Sequence, residues 1–498
     1  MAKVRKEKKV RGKKGLAVKR VDMPPVDGVS VLEYTRQCMQ RYGESVIEDR
    51  ALPDYRDGLK PVHRKILWAA HKMGLTPGSV PKKSARLVGD VIGKYSPHGD
   101  SGAYGAMITM VNSYMPTLTG QGNWGSSTDG AAAYRYTEVK LSSYGSVNFF
   151  GSDYVAVTKM VPNFDGSEIE PLVLPSLLPS LLLNGSFGIG VGITCNIPPF
   201  EAKGVLELVR LVLRNEVVDS GTCMKHLRAN YRQYEGKGAH FYVGDKDSRI
   251  ALRNFYKTGE GSAYLIPEFE VDAKNRLIKI WGLPPNLNPL KALEKSMTDP
   301  RVSMAENAAS KDDPLLYEIQ LKAGIGTNIV GQVADEIIDK FWTTKQNYKF
   351  NVTKRYIADE DLHTRAKFMH HDMVSFLKSW VKWRKALEIR TLKNRNKVLA
   401  VSLELQQLMM LASKNIDIIM AALKRKDTET YLEKALKITP KQVDIILGRQ
   451  IRTLKALERS KIQERIDDLT KQIDQITKWL KAPSKKILAD LDALEKVL

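Results

Sequence analysis

The sequence predicts a multidomain α/β protein, and three observations support this fold class. First, 498 residues exceed one ordinary domain and favour about two to four. Second, short helical patterns fill the first third of the chain and strand-like alternation follows them. Third, heptad spacing marks the last quarter. Hydrophobic residues make up 43% of the chain, so cores can form and global disorder is excluded.

The first third contains a candidate DNA-binding helical module. A helix-like stretch at 28–60 is followed by three short helices, predicted over 61–74, 82–95 and 98–114. Pro61 suits a first helical position, and Asp100 or Ser101 suits the N-cap of the third helix. Three short helices with tight connections indicate a helix-turn-helix module.

Residues 171–200 carry no charge and have the length of a membrane span. Pro175 and Pro179 would break such a helix early, and a group of glycines follows. We therefore predict buried protein interior with short strands and tight turns. A membrane-associated protein that uses this segment is the alternative.

The middle of the chain alternates like strands. AYLIPEFEVDAKNRLIKIWGLP contains two strand patterns around the turn DAKN. This pattern predicts a second, α/β domain that spans roughly residues 165–370.

The last quarter predicts long helices. Thr439 and Pro440 form a helix start, and apolar residues then recur at steps of four and three from Ile462 to Leu480. Together with the helical stretch from about residue 372, this seam predicts a long antiparallel coiled coil that dimerises. A plain helical bundle is the alternative.

Charge and cysteine content point to a polyanionic partner in a reducing compartment. The formal net charge is +22, which is typical of nucleic-acid binding, although an acidic membrane surface would also attract it. Residues 1–27 are predicted to be a disordered basic arm, or a solubilising tail. Three widely spaced cysteines form no disulfide framework or zinc pattern, which favours a cytoplasmic location.

The stretch AAAYRYTEVK, residues 131–140, raises a chemical question. A tyrosine hydroxyl is a weak nucleophile, and attack on a phosphodiester requires a cation near the developing charge. On a strand, Arg135 and Tyr136 would point to opposite faces, so Arg135 would reach the phosphate rather than Tyr136. The alternative is a structural tyrosine in a non-enzymatic, dimeric architectural DNA-binding protein.

Several long motifs in a fixed order resemble one family. They are DRALPDYRDGLKPVHRKILWA, KKSARLVGDVIGKYSPHGDSGAY, GQGNWGSS followed by AAAYRYTE, and LPSLLPSLLLNGSFGIGVGITCNIPP. Together they resemble the A subunit of type IIA DNA topoisomerases, the family of DNA gyrase, topoisomerase IV and their bacteriophage relatives. The resemblance covers roughly residues 30–490.

The resemblance implies a role for individual residues. Tyr136 matches the nucleophile that forms a 5′-phosphotyrosyl bond, and Arg135 matches its supporting arginine. Arg50 matches a contact to the scissile phosphate from the other protomer's side. Leu178 matches an aliphatic wedge that bends DNA. Further DNA-binding or supporting positions are Lys60, His63, Arg64, Lys83, Arg86, His98 and Ser101.

The resemblance also implies a domain plan. It places a winged-helix DNA-cleavage domain at 28–164, an α/β tower domain at 165–370, and a coiled coil with a dimerisation end at 371–498. The protein would form a homodimer that acts on double-stranded DNA.

Two positions depart from the family pattern. Ser101 matches a serine linked with quinolone drugs, but Gly105 stands where an acidic residue is usual. Ser96 replaces the first histidine of HPHGDS. We therefore expect weak quinolone binding.

Cofactors are expected on a partner. GxxxxGK[ST] and DxDxDG do not occur in the sequence, so ATP and Mg²⁺ would be held by a B-type subunit. No DNA-wrapping domain of the gyrase kind is recognised either. We therefore expect an ATP-dependent relaxing or decatenating enzyme in a bacterial or infected cell, with a bacteriophage origin favoured.

Overall fold

The computed structural model describes residues 30–126, 129–229, 231–234, 237–310, 316–357, 364–448 and 459–495. The predicted basic arm lies outside these ranges. Two π-helical turns occupy Ile47–Ala51 and Ile338–Trp342. The α-helices are α1 Val31–Val46, α2 Pro61–Lys72, α3 Ser84–Lys94, α4 Asp100–Val111, α5 Ser143–Phe149, α6 Ser152–Val155, α7 Ser180–Asn184, α8 Ala202–Leu213, α9 Ser220–His226, α10 Lys246–Thr258, α11 Pro289–Ser296, α12 Val330–Ile337, α13 Met373–Lys414, α14 Ile416–Ala422, α15 Thr428–Leu436, α16 Pro440–Leu447, α17 Arg459–Lys481 and α18 Pro483–Glu495.

The strands form small antiparallel sheets. They are β1 Lys82–Lys83, β2 Leu118–Gln121, β3 Glu138–Leu141, β4 Met160–Pro162, β5 Ile169–Pro171, β6 Ser186–Ile189, β7 Thr194–Ile197, β8 Tyr231–Tyr234, β9 Lys237–Phe241, β10 Glu260–Ile266, β11 Glu268–Asp272, β12 Leu277–Trp281, β13 Val302–Asn307, β14 Tyr317–Leu321, β15 Thr344–Lys349, β16 Asn351–Ile357 and β17 Thr364–His370. Their orders are β1-β3-β2, β6-β7-β15-β10-β9-β8, β11-β12-β14-β13, β16-β17 and β4-β5. The mixed α/β class predicted from the sequence is therefore confirmed.

Helices α2, α3 and α4 form one packed module with the β1-β3-β2 sheet. Pro61 is the first residue of α2, as predicted, because its missing N–H is not needed there. Helix α3 begins two residues later than predicted, since Lys82 and Lys83 pair with β3. The predicted cap of α4 was wrong: Gly99 is the N-cap and Asp100 is the first helical residue. The apolar faces of the three helices share one core.

The uncharged stretch 171–200 is largely interior, as predicted. Leu174, Leu181, Leu182 and Leu183 are all buried, and the stretch continues into the β6–β7 hairpin. Among the described helices, none combines the length and apolar character that a bilayer crossing requires.

The strand pair predicted around DAKN is present. Strands β11 and β12 pair from Glu268↔Trp281 to Asp272↔Leu277. Asp272 holds the turn by accepting from the Asn275 N–H at 3.0 Å, as aspartates do in such turns. The sheet packs its inner face on α11 and α12 in a separate core.

The chain divides into two compact units. One comprises residues 1–384 with 494–498, and the other comprises residues 385–493. The second unit contains most of α13, a 42-residue helix, and a core built mainly from the end of α13 and from α14 to α16. Thr439 and Gln442 form a capping box at α16, where the sequence predicted a helix start.

The heptad seam of α17 is the less exposed stripe of that helix. Leu469 and Ile476 are buried, and the four other seam positions are half-buried. The periodicity therefore predicted the packed face of α17. The antiparallel coiled coil stays a prediction.

Gly58 offers a test of this packing. Its φ is +71°, and a Cβ there would lie 2.4 Å from the Leu181 backbone nitrogen. Gly58→Ala should therefore cost more stability than the roughly 1–2 kcal/mol of positive-φ strain alone. The thermal unfolding midpoint should fall accordingly.

Gly74→Ala is the matched control, because Gly74 has φ +69° with no atom within 4 Å of the position that an added Cβ would take. Calorimetry would compare the two variants. Equal shifts would contradict the close approach between residue 58 and α7.

Candidate functional site

Tyr136 lies in a turn and not in a strand. The turn covers residues 134–136, and strand β3 starts only at Glu138. The Tyr136 side chain is 63% exposed. The expectation that Arg135 points away from Tyr136 was wrong, because the turn folds the guanidinium carbon over the Tyr136 ring at 4.7 Å from its centroid. Tyr136 is therefore accessible to solvent and has a cation over its ring.

The backbone of this turn is fixed to the start of α3. The Ser84 N–H donates to the Thr137 carbonyl at 2.9 Å, and the Ala85 N–H donates to the Tyr134 carbonyl at 3.1 Å. The first N–H groups of a helix have no partner within the helix, so they are free for this purpose. The two bonds hold the residues on either side of Arg135 and Tyr136.

Buried hydroxyls reinforce the same connection. Thr137 is fully buried, and its hydroxyl donates to Ser84 Oγ at 2.8 Å. Tyr104 of α4 places its hydroxyl 2.9 Å from that of Thr137 and donates to the Ala132 carbonyl at 2.6 Å. The sequence analysis assigned no role to Tyr104. The signal it missed is a hydroxyl on an otherwise buried ring, which needs a polar partner.

Other predicted site residues surround the turn on exposed positions. Lys83 faces Glu138 across the β1–β3 pair, with Nζ–Oε1 at 3.0 Å. Arg86 is exposed on α3, His98 in the loop before α4, and Ser101 on the first turn of α4. Gly105 is also exposed, whereas Ser96 is buried. The structure thus gathers Arg86, Lys83 and Arg135 on elements in direct contact with the Tyr136 turn.

A second group of predicted residues lies around the π-helix Ile47–Ala51. Arg50 is exposed on this π-helix. Lys60 precedes α2, and its ammonium donates to the Phe187 carbonyl of β6. Burial lowers the pKa of Lys60. Gly188 allows β6 to lie against the π-helix, because a Cβ there would meet the Ala51 carbonyl oxygen at 2.0 Å.

Arg64 is not on the surface, where a DNA contact was expected. It is 4% exposed, and its Nε and Nη2 donate to Asp57 Oδ2 and Oδ1 at 2.7 and 3.0 Å. Nη2 also donates to the Leu59 carbonyl. The guanidinium is thus committed to an internal ion pair, which a DNA contact would have to break at a cost of several kcal/mol.

Leu178, the expected DNA wedge, lies inside the protein. It is 1% exposed and belongs to the core. Nearby apolar side chains that do reach solvent are Phe187 and Ile189 on β6, 65% and 68% exposed. They share one face of an edge strand, and Lys60 is bonded to that strand. The signal for them lies in SFGIGVG, where single large residues alternate with glycine.

Comparison with known proteins decides the family. A family model that describes the A subunit of DNA gyrase and topoisomerase IV matches residues 50–492. The chain belongs to this DNA gyrase/topoisomerase IV A-subunit family. The resemblance found in the sequence is therefore confirmed.

Curated members of the family cover nearly the whole chain. The DNA gyrase A subunit of Clostridium acetobutylicum is 31% identical over 482 residues, which are 93% of this chain and 55% of that protein. The DNA gyrase A subunits of Staphylococcus epidermidis and Staphylococcus aureus are each 29% identical over 473 residues, 92% of this chain and 50% of theirs. The chain spans about half the length of the curated relatives it matches.

Metal-ligating side chains do not cluster in the described part of this family member. Among the residues that the structure describes, no three His, Cys, Asp or Glu side chains converge as metal ligands. The adjacent histidines before α13 are engaged otherwise. His370 places its ring nitrogens 2.8 Å from Asn351 Oδ1 and from the Thr258 carbonyl, and His371 Nδ1 lies 3.1 Å from Ser375 Oγ.

His63 gives a pH-dependent prediction. Burial, with Lys60 and Arg64 nearby, lowers the pKa of His63 to about 3. An unfolded histidine titrates near pH ~6.5, so between about pH 6.5 and 3 the unfolded chain binds a proton that the folded chain does not. Stability should fall as the pH drops through this window, by up to about 1.4 kcal/mol per pH unit.

Urea unfolding of the parent and of His63→Gln at several pH values would check this. The free energy of unfolding of the variant should depend less steeply on pH, by up to about 1.4 kcal/mol per pH unit. His98→Gln, which removes an exposed histidine, serves as the control. Identical slopes for the parent and His63→Gln would contradict the lowered pKa of His63 in the folded chain.

Proposed function

We propose that the chain is the DNA cleavage and religation subunit of an ATP-dependent type IIA topoisomerase. The observation that carries this proposal is the exposed Tyr136, on a turn anchored to α3, with the Arg135 guanidinium over its ring. Family membership supports the same activity. The net charge of +22 suits a duplex DNA substrate.

The reaction follows from these groups. The Tyr136 oxygen attacks the scissile phosphorus, an oxygen–phosphorus bond forms, and the bond to the 3′-oxygen breaks. The tyrosine loses its proton and the departing 3′-oxygen gains one. Arg135 stabilises the added negative charge, with Arg50 as the second cation at the phosphate. Because the phosphotyrosine keeps the phosphodiester energy, religation is the reverse step and consumes no ATP.

We propose the following assembly and domain roles. Two copies form a homodimer in which each Tyr136 cuts one strand, and a second duplex passes through the break. Residues 28–164 form the winged-helix cleavage domain, 165–370 the tower, and 371–498 the coiled coil and dimerisation end. A B-type partner subunit holds ATP and Mg²⁺, and Mg²⁺ would supply further charge stabilisation at the phosphate. Relaxation and decatenation are the proposed outcomes.

The DNA wedge is reassigned in this proposal. Leu178 is buried, whereas Ile189 and Phe187 stand exposed on one face of β6 beside Lys60. An apolar side chain that enters a base step must start from an exposed position on a supported element. We propose that Ile189, with Phe187 next to it, bends the duplex in place of Leu178.

Tyr136→Phe tests the covalent step. The chain would be mixed with a B-type topoisomerase subunit, Mg²⁺ and supercoiled plasmid and then quenched with denaturant. The parent should leave protein attached to linear DNA, whereas Tyr136→Phe should leave none, because only the attacking oxygen is lost. Tyr134→Phe, which changes a neighbouring tyrosine in the same turn, is the control for the turn's packing.

DNA binding by the parent without any adduct, with a partner shown to bind the chain, would contradict the enzymatic proposal. That result would instead favour a non-enzymatic, architectural DNA-binding dimer.

Ile189→Ala tests the wedge. Fluorescence energy transfer between the ends of a short duplex should report a smaller bend than with the parent, with the unfolding midpoint unchanged because Ile189 is exposed. Leu178→Ala should instead reduce the free energy of unfolding by about 2–5 kcal/mol, because it opens a core cavity. The unfolding midpoint should fall with it. An unchanged bend with Ile189→Ala would contradict the reassignment.

A further inference from the structure

A distant β-ribbon holds the segment that carries Arg50. Directly after the π-helix Ile47–Ala51, the chain runs parallel to β16 for a short distance, and Asp54 forms a single β-bridge with Thr353. The Thr353 N–H donates to the Pro53 carbonyl at 2.9 Å, and the Tyr55 N–H donates to the Thr353 carbonyl at 3.0 Å. The β16–β17 ribbon therefore holds the residues that directly follow the π-helix.

Arg355 of this ribbon reaches the π-helix itself. Its Nη1 donates to the Glu48 carbonyl at 2.9 Å and lies 3.5 Å from Asp49 Oδ1. In a π-helix the carbonyl of Glu48 would take its hydrogen from residue 53, but Pro53 has no N–H. Arg355 thus supplies the hydrogen-bond donor that Pro53 lacks.

Further bonds fix Arg355 in place. Nη2 donates to Thr364 Oγ1 of β17 at 3.2 Å, and the Arg355 N–H donates to Asp54 Oδ2 at 2.7 Å. Asp54 in turn accepts hydrogen bonds from Arg56 Nε and Nη2. Nη2 of Arg56 also donates to the Arg355 carbonyl at 2.6 Å. Side chain and backbone of Arg355 are therefore both tied to the segment around Arg50.

The ribbon contacts Glu48 a second time. The Glu48 carboxylate accepts a hydrogen bond from the backbone of Ala366 on β17, which opposes the rise in the Glu48 pKa caused by burial. Both strands of the ribbon therefore hold Glu48, two residues before Arg50.

Arg355 is too buried to contact DNA directly, so any effect of Arg355 on DNA has to pass through its neighbours. Its side chain is only 11% exposed, whereas Arg50 is exposed. A buried guanidinium with a carboxylate at 3.5 Å adds little net stability, so stability alone does not account for a charge there. What it does determine is the position of the π-helix backbone.

We propose that Arg355 is a positioning residue for Arg50, acting through the π-helix Ile47–Ala51. This inference rests on the proposed function, in which Arg50 meets the scissile phosphate. A misplacement of about 1 Å can cost about 100-fold in rate, so a ribbon that fixes the π-helix would matter for cleavage more than for DNA affinity.

A double-variant cycle tests this proposal. The rate of covalent adduct formation would be measured on preformed complexes of DNA, B-type subunit and Mg²⁺ with the parent, Arg50→Ala, Arg355→Gln and the double variant. We expect Arg355→Gln to slow cleavage about 10- to 100-fold with an unchanged Kd for DNA. The double variant should be no slower than Arg50→Ala, because Arg355 acts only through Arg50.

Lys354→Gln is the matched control. Lys354 precedes Arg355 on β16, is exposed, and loses the same charge on substitution; it should cleave at the parent rate. Arg355→Lys keeps the charge without the guanidinium fork and should be slow as well. If Arg355→Gln does not fold, Arg355→Lys replaces it in the double-variant cycle.

The proposal would be overturned if the decreases in cleavage rate caused by Arg50→Ala and Arg355→Gln multiplied in the double variant. A decrease with Lys354→Gln equal to that with Arg355→Gln would overturn it as well. In either case adducts from the parent would leave the proposed function standing. If the parent itself forms no adduct, the proposed function fails and this inference fails with it.

Discussion

The buried ion pair between Asp57 and Arg64 organises the region that precedes α2 and contains Lys60. Asp57 is fully buried, and it accepts two bonds from Arg64 and one each from the N–H groups of Leu59 and Leu174, at 2.7 to 3.0 Å. A buried carboxylate is costly unless all these donors are present. The pair therefore joins α2 and the loop before it to the uncharged stretch after residue 171. It also fixes Leu59, the residue before Lys60, because the Leu59 N–H donates to Asp57 and the Leu59 carbonyl accepts from Arg64.

Local signals allowed part of this fold to be predicted from the sequence. Pro61 at the start of α2, the Thr439 cap of α16 and the seam of α17 each depend on residues within a few turns of one another. The turn at Tyr136 could not be predicted in the same way. Its carbonyls are satisfied by α3, some 50 residues earlier in the chain, so a pattern that looks like a strand becomes a turn.

The candidate site shows the same division. The motifs, through the family that they resemble, suggested roles for Tyr136, Arg135 and Arg50, and these roles stay predictions. They did not separate Arg64, which is used inside the fold, from exposed cations such as Arg86. Burial is a tertiary property, and it is also the reason why we propose Ile189 in place of Leu178 as the wedge. Arg355 lies 307 positions from Glu48, so no local pattern reveals their contact.

Mass spectrometry of the residue that becomes linked to DNA would decide whether Tyr136 is the nucleophile. Adducts formed in the presence of Mg²⁺ with a B-type subunit would be digested with nuclease and trypsin and then characterised by mass spectrometry. Cleavage after Arg135 and Lys140 releases the peptide YTEVK, residues 136–140. We expect this peptide to carry a nucleotide on Tyr136 through a phosphotyrosyl bond. A nucleotide on any other residue, or an unmodified YTEVK beside cleaved DNA, would contradict it.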